Sequence, residues 1–330
     1  MKKFVFFGGK GGVGKTTVSS AYGLKSAKAG LKTLVVSTDP AHSTSDVFDQ
    51  QFGDEPAPVE GHDDLWAMEI DPEQEVENHL MEIKRAMGDQ VSPGMVNAID
   101  RQVEMAHQTP GAHESALFDR FVDVMQNAEE YDRVVFDTSP TGGTLRLLSL
   151  PEFLEGWIER LLHKRKRSID LFEKAAIGGR EPRRMAEGDP IIARLQERKE
   201  MFEFAGEVLR TESAYFLVLN PDELSIRETG RAVEELTEYD LGVSGLVINK
   251  VTPEPDENES GRGARYLRDR CRTERERIEH IRESFDESVV AVIESRVEEV
   301  KGSLLDEVAD ELDVAVEPTP KSASQPSSES

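Results

Sequence analysis

With 330 residues the chain has room for one large α/β domain or two smaller ones, and no apolar run reaches the 18 residues that would read as a membrane span. Its 65 acids against 40 bases give a formal charge of −25, which disfavours nucleic-acid binding through a basic face and describes a solvated, halophile-like acidic surface suited to a salt-rich cytoplasm. The single cysteine, Cys271, excludes an internal disulfide and cannot alone hold zinc or an iron–sulfur cluster.

In chain order, the first predicted strand is KFVFFG (3–8). The apolar part of MKKFVFFGG ends after four residues, too soon for an export leader, so a cytoplasmic protein is expected. Next comes Gly9-Lys10-Gly11-Gly12-Val13-Gly14-Lys15-Thr16-Thr17, which matches G-x-x-x-x-G-K-[ST] between a strand and a helical stretch, TTVSSAYGLKSAKAG. Bare glycines let successive backbone N–H groups close around phosphate oxygens, and the following helix aims its positive end at them. Lys15 is expected on the β- and γ-phosphates and the Thr16 hydroxyl on Mg²⁺. Lys10 makes this a variant loop, because a plain phosphate loop does not require lysine after its first glycine.

Strand two, KTLVVS (32–37), runs into Asp39, and strand three is LWAMEI (65–70). About 72–128 then reads as a helical insertion containing LFDRFVDVMQ and methionines 81, 87, 95, 105 and 125. The apolar stripes of this span suit either internal packing or an adaptable groove. Strand four, DRVVFDT (132–138), ends on Asp137. Ligands in parallel sheets collect outside the carboxyl ends of strands, so Asp39 and Asp137 should share an edge with the phosphate loop. Asp137 reads as a Mg²⁺ acid, direct or through water, and Asp39 as the acid that positions the attacking water and also borders the metal.

A second helical insertion is expected at about 151–210, with the basic patch HKRKR (163–167) inside it. Strands AYFLVLN (214–220), SGLVINK (244–250) and SVVAVI (288–293) follow. Near-continuous Val, Ile, Leu and Phe runs suit strands buried on both faces, so the fold class is α/β, a mostly parallel sheet flanked by helices with an inserted helical subdomain. One unit is expected over 1–313, and the acidic Ser/Pro-rich 314–330 should be a disordered tail.

Several ordered blocks resemble the ArsA and tail-anchored-protein targeting (Get) ATPases, deviant Walker A P-loop proteins: KGGVGKTT (10–17), STDPAHS (37–43), DTSPTGGTLRLL (137–148), LPEFL (150–154), NPDELSIRETGRAVEEL (220–236) and VINK (247–250). The resemblance implies an ATP-hydrolysing, Mg²⁺-dependent homodimer in which Lys10 reaches nucleotide across the interface. It makes Gly11 to Thr17 the phosphate cradle, Asp39 the catalytic acid of switch I, and Asp137 to Leu145 switch II. Asn249 takes the adenine-recognition position, and Asp222 the place of an acid that meets nucleotide from the facing subunit. It also implies a protein client or membrane partner, including an apolar groove for a client's transmembrane helix. The chain departs from the family at Gly143, where histidine is common, and in lacking a C-x-x-C pair. Two alternatives stand beside this reading: a chromosome- or septum-positioning ATPase, and the soluble ATPase of an arsenite or antimonite pump.

Overall fold

The computed structural model describes residues 2–38, 43–71, 74, 75, 77, 112–137, 159–164, 167, 190–314 and 316. Asp39, Gly143, methionines 81, 87, 95 and 105, and most of both insertions therefore lie outside the described residues. In chain order the named elements are β1 (Phe4–Gly9), α1 (Lys15–Lys28), β2 (Thr33–Ser37), α2 (Ser43–Phe48), β3 (Ala57–Pro58), β4 (Leu65–Glu69) and α3 (Ala112–Gln126). They continue with β5 (Arg133–Asp137), α4 (Pro190–Thr211), β6 (Ser213–Leu219), α5 (Glu223–Glu238), β7 (Val243–Val251), α6 (Arg262–Ser284), β8 (Val289–Glu294) and α7 (Ser303–Glu311).

All seven expected strands form, with ends within about one residue of their predicted bounds. They build one eight-stranded sheet in the order β3-β4-β2-β5-β1-β6-β7-β8, parallel except for the two-residue β3. Strand alternation assigns the two faces. Phe4, Phe6, Val134, Phe136, Leu217 and Ile248 face a core completed by α3, α4, α5 and α6, while Val5, Phe7, Val135, Val218 and Val247 face α1 and α7. Phe136 sits at the centre of the first core, stacked on Phe6 with ring centroids 4.6 Å apart and meeting the edge of Phe121 at 5.1 Å. A fully buried Phe contributes roughly 1.5–3 kcal/mol through area alone, and offset or edge-on aromatic pairs add to that.

The two named insertion helices, α3 and α4, join this core. The LFDRFVDVMQ stripe puts Phe118, Phe121, Val122 and Met125 against the sheet, and Phe118 stacks on Phe202 of α4 at 5.3 Å. This stripe is therefore sheet packing, and Met125 is core rather than groove. The Arg198 guanidinium meets Asp119 at 2.7 Å and ties α3 to α4. At the other end of the chain, Val314 is buried among α7 and α1 side chains and Val316 packs on the same cluster.

Helix α1 ends where glycine allows it. Gly30 takes a left-handed φ of 83°, Gly30 N–H donates to Ala27 O at 2.8 Å, and Leu31 N–H reaches Ser26 O at 3.2 Å. This paired closure satisfies the last helical carbonyls.

Candidate functional site

β1 lies mid-sheet. The chain passes from it to β2 on one side, returns through β5 beside it, and continues with β6 on the other side. Strand order reverses around β1, which opens a crevice at the carboxyl ends. Register sets the acid: Phe7 pairs with Asp137, and Asp137 with Ser37. The Thr16 hydroxyl donates to Asp137 Oδ2 at 2.6 Å, and Ser37 Oγ reaches the same oxygen at 3.4 Å. Asp137 is 1% exposed and Lys15 7%, so both ionisable side chains are buried. Lys15 Nζ donates to Lys10 O at 3.3 Å, folding the ammonium back over the loop.

Backbone geometry explains the glycines. Gly9, Gly12 and Gly14 have φ of 142°, 78° and 92°, which side chains disfavour. A Cβ on Gly9 would stand 2.2 Å from Val218 O, and one on Gly14 would stand 2.3 Å from Asn249 Nδ2. A Cβ on Gly12 meets nothing within 4 Å, so the strain there is in the backbone alone. Gly14 caps α1 with no side-chain bond, and no acid stands in the first turn. The positive end of the helix is left for an anion.

The fold brings Gly9 to Thr16, Asp137 and Asn249 together. Thr17 lies half-buried in the first turn of α1. Asp222 takes a local role: its carboxylate accepts from Ser225 N–H at 2.9 Å as the N-cap of α5. It also borders an open cleft of about 380 Å³, lined by Asn220, Lys250, Arg277 and Ser295 among others, beside the phosphate loop. Asn249 is buried and donates from Nδ2 to Val13 O at 2.8 Å, while its Oδ1 accepts Lys250 N–H at 2.9 Å.

Lys250, which sequence reading passed over, donates from Nζ to Gly12 O at 2.6 Å. Cys271 is buried against Thr252 O and Pro253 O, and burial, with Glu274 and Glu254 nearby, pushes its thiol up.

Does the donor set fit the implied groups? Thr16 Oγ1 and Asp137 Oδ2 are hard oxygen donors in contact, which suits Mg²⁺, a cation held by few protein ligands together with water and phosphate. The glycine cradle at a helix N-terminus, with a buried lysine, suits a nucleotide's phosphates. Among the described residues, no helix is long and apolar enough to cross a membrane.

The family of anion-transporting ATPases (ArsA ATPases) matches residues 2–313. The chain is 31% identical over 306 residues to "ATPase ASNA1 homolog 2" of Paramecium tetraurelia, covering 91% of this chain and 90% of that one. It is 32% identical over 303 residues to "ATPase GET3A" of Arabidopsis thaliana, covering 91% and 80%. It is also 32% identical over 322 residues to "ATPase ARSA2" of Chlamydomonas reinhardtii, covering 91% and 81%. With a sheet that sets a glycine cradle, Lys15, Thr16 and Asp137 at one crevice, the chain belongs to the ArsA ATPase family and is an ATPase.

Proposed function

We propose that the chain hydrolyses ATP with Mg²⁺ as a nucleotide-gated homodimer in the cytoplasm, and that its helical insertions (about 72–128 and 151–210 within a unit spanning 1–313) handle a protein client. The observation that carries the nucleotide part is the Thr16–Asp137 contact beside buried Lys15. Water attacks the γ-phosphorus, the bond to the β-phosphate oxygen breaks, and ADP leaves with the charge that Lys15 balances; the proton of the attacking water ends on phosphate or solvent. Thr16 and Asp137 would hold Mg²⁺, which when bound draws charge from the β- and γ-oxygens. Asp39 orients the water, Lys10 reaches the partner's nucleotide, Asp222 meets nucleotide from the facing subunit, and Asn249 reads adenine.

Likeness to the relatives named GET3A and ASNA1 homolog supports a dimer and a client that is a tail-anchored membrane protein. The acidic composition disfavours a DNA-positioning role. One buried cysteine with a raised thiol is a poor thiolate ligand, which disfavours metalloid binding.

Three measurements test this. Turnover should vanish with a magnesium chelator and fall at least ~10²-fold in Asp137→Asn; undiminished turnover in that variant removes Asp137 from the metal site. Size-exclusion mass should double or tighten with ATP in wild type and not in Lys10→Ala, and a monomer indifferent to Lys10 would sink the shared-site reading. Co-purification of a tail-anchored substrate, lost on deleting 80–110, tests the client.

A further inference from the structure

At the end of β7 the ladder to β8 slips. Ile248 pairs with Val292 and Val251 with Glu294, so three steps on β7 oppose two on β8. The extra residue forms a bulge, a device that re-aims side chains beside active sites. Lys250 within it has a left-handed φ of 59°, uncommon for a residue with a long side chain. The two residues of this kink take two successive carbonyls of the phosphate loop. Asn249 Nδ2 holds Val13 O at 2.8 Å, and Lys250 Nζ holds Gly12 O at 2.6 Å.

The Asn249 amide is itself fixed by the Lys250 N–H on its Oδ1, which leaves the NH₂ group facing the loop. In a planar trans peptide the carbonyl and the next N–H point opposite ways. Drawing Val13 O outward therefore turns Gly14 N–H inward, toward the head of α1. Drawing Gly12 O outward turns Val13 N–H across the loop, where it donates to Lys10 O at 3.4 Å.

We propose that Asn249 and Lys250 form a two-point clamp that preforms the phosphate cradle, with Lys250 a positioning residue that acts through the loop without touching nucleotide. The inference rests on the ATP-site reading above and assigns Asn249 a second task beside adenine. The clamp removes much of the ordering that nucleotide binding would otherwise require. A charge-assisted bond of this kind is among the stronger single hydrogen bonds, so its loss corresponds to roughly tenfold in affinity.

The test uses the full chain and two replacements at position 250. Lys250→Asn keeps a residue that tolerates the left-handed backbone but cannot reach Gly12. Lys250→Met keeps the length of the side chain without its charge. ADP affinity is read by displacement of a fluorescent ADP analogue, and loop order by hydrogen exchange of peptides covering 9–15. Both variants should bind ADP about tenfold more weakly. Without nucleotide, their loop amides should exchange faster, and bound ADP should restore protection. The kinetic defect should fall on KM, with kcat within about twofold, and Lys250→Arg should return both readouts toward wild type.

Weaker ADP binding with unchanged loop exchange would mean that Lys250 contacts nucleotide directly, and overturns the clamp. Unchanged affinity and exchange overturn it too, as does acceleration spread over the whole sheet in both variants. Lys15→Ala separates the two readings: if it loses ADP while the position-250 variants do not, only the clamp falls. If Lys15→Ala binds ADP as tightly as wild type, the phosphate site is misplaced and both fall.

Discussion

The loop after β1 works through side chains that are missing, whereas the end of β7 works through two that are present. Gly9, Gly12 and Gly14 hold the loop in backbone conformations that side chains disfavour, and two of them leave no room for a Cβ. Across the gap, Asn249 and Lys250 reach over and hold that loop by its carbonyls. A glycine loop is permissive in many shapes, so a sequence that gains close approach to phosphate also loses definition. The β7 end returns that definition from outside.

Substitutions can break this division of labour or sharpen it. The largest effect belongs to the buried charge: Lys15→Ala should lower kcat/KM by at least ~10²-fold, with circular dichroism unchanged. Next comes filling a space that must stay empty. Gly14→Ala meets both a φ of 92° and a 2.3 Å approach to Asn249, so ADP binding should fall by well over tenfold. In Gly14→Ala/Asn249→Ala the steric part disappears while the backbone strain and the loss of the Asn249 contacts stay, so the double variant should lose less affinity than the sum of the two single losses. Full additivity of the two single losses would show that the clash is not the cause.

Gly12→Ala should be milder, about 1–2 kcal/mol of backbone strain with no steric partner; isothermal titration with ADP orders the two.

The smallest effect comes from what braces the β7 end. Thr252 N–H and Oγ–H both donate to Glu274, at 2.7 and 2.9 Å, and Arg270 donates to the same carboxylate at 2.7 Å. Burial pushes Glu274 up, but the Arg270 bond and the two Thr252 donors outweigh it and hold the carboxyl below its usual range. A depressed folded value means that the group's stabilisation is complete above the unfolded value, near 4.5, and is lost as pH falls through the lower folded value. Glu274→Gln should therefore be less stable than wild type in urea at pH 7, with the gap closing only below about pH 4. A gap that is constant down to pH 3 would remove the ionised carboxylate from this role.

Much of the fold was legible because strands buried on both faces are written as unbroken apolar runs, and seven were readable that way. The eighth, Ala57–Pro58, is two residues long and carries no such run. Strand order was not legible, since nothing local records that β5 returns between β2 and β1. In the site, the glycine string and Asp137 were plain, because phosphate chemistry demands those residue types at fixed spacing. Lys250 was not, because lysine is no turn residue and its placement depends on a bulge made with a strand 40 residues later. The apolar stripe of 117–125 was visible, but periodicity cannot say which surface it meets; here it meets the sheet. Asp222 fulfils the ordinary promise of an Asp before a helix.

Asp137 faces two ways, and that has a mechanical consequence. Its carboxylate touches Thr16, while its main-chain oxygen receives both the N–H of Thr38, at 3.2 Å, and the hydroxyl of Thr38, at 3.4 Å. On the far side of Asp39, the chain is anchored again where Ser45 gives its N–H and hydroxyl to the two oxygens of Glu69, each at 2.8 Å. The residues that flank Asp39 in the chain, Thr38 and Ser45, are thus each anchored, one to Asp137 and the other to Glu69. The first is held by Asp137, the residue that also meets Thr16 at the head of α1, so a substitution at Asp137 should disturb the phosphate loop and one end of that span together.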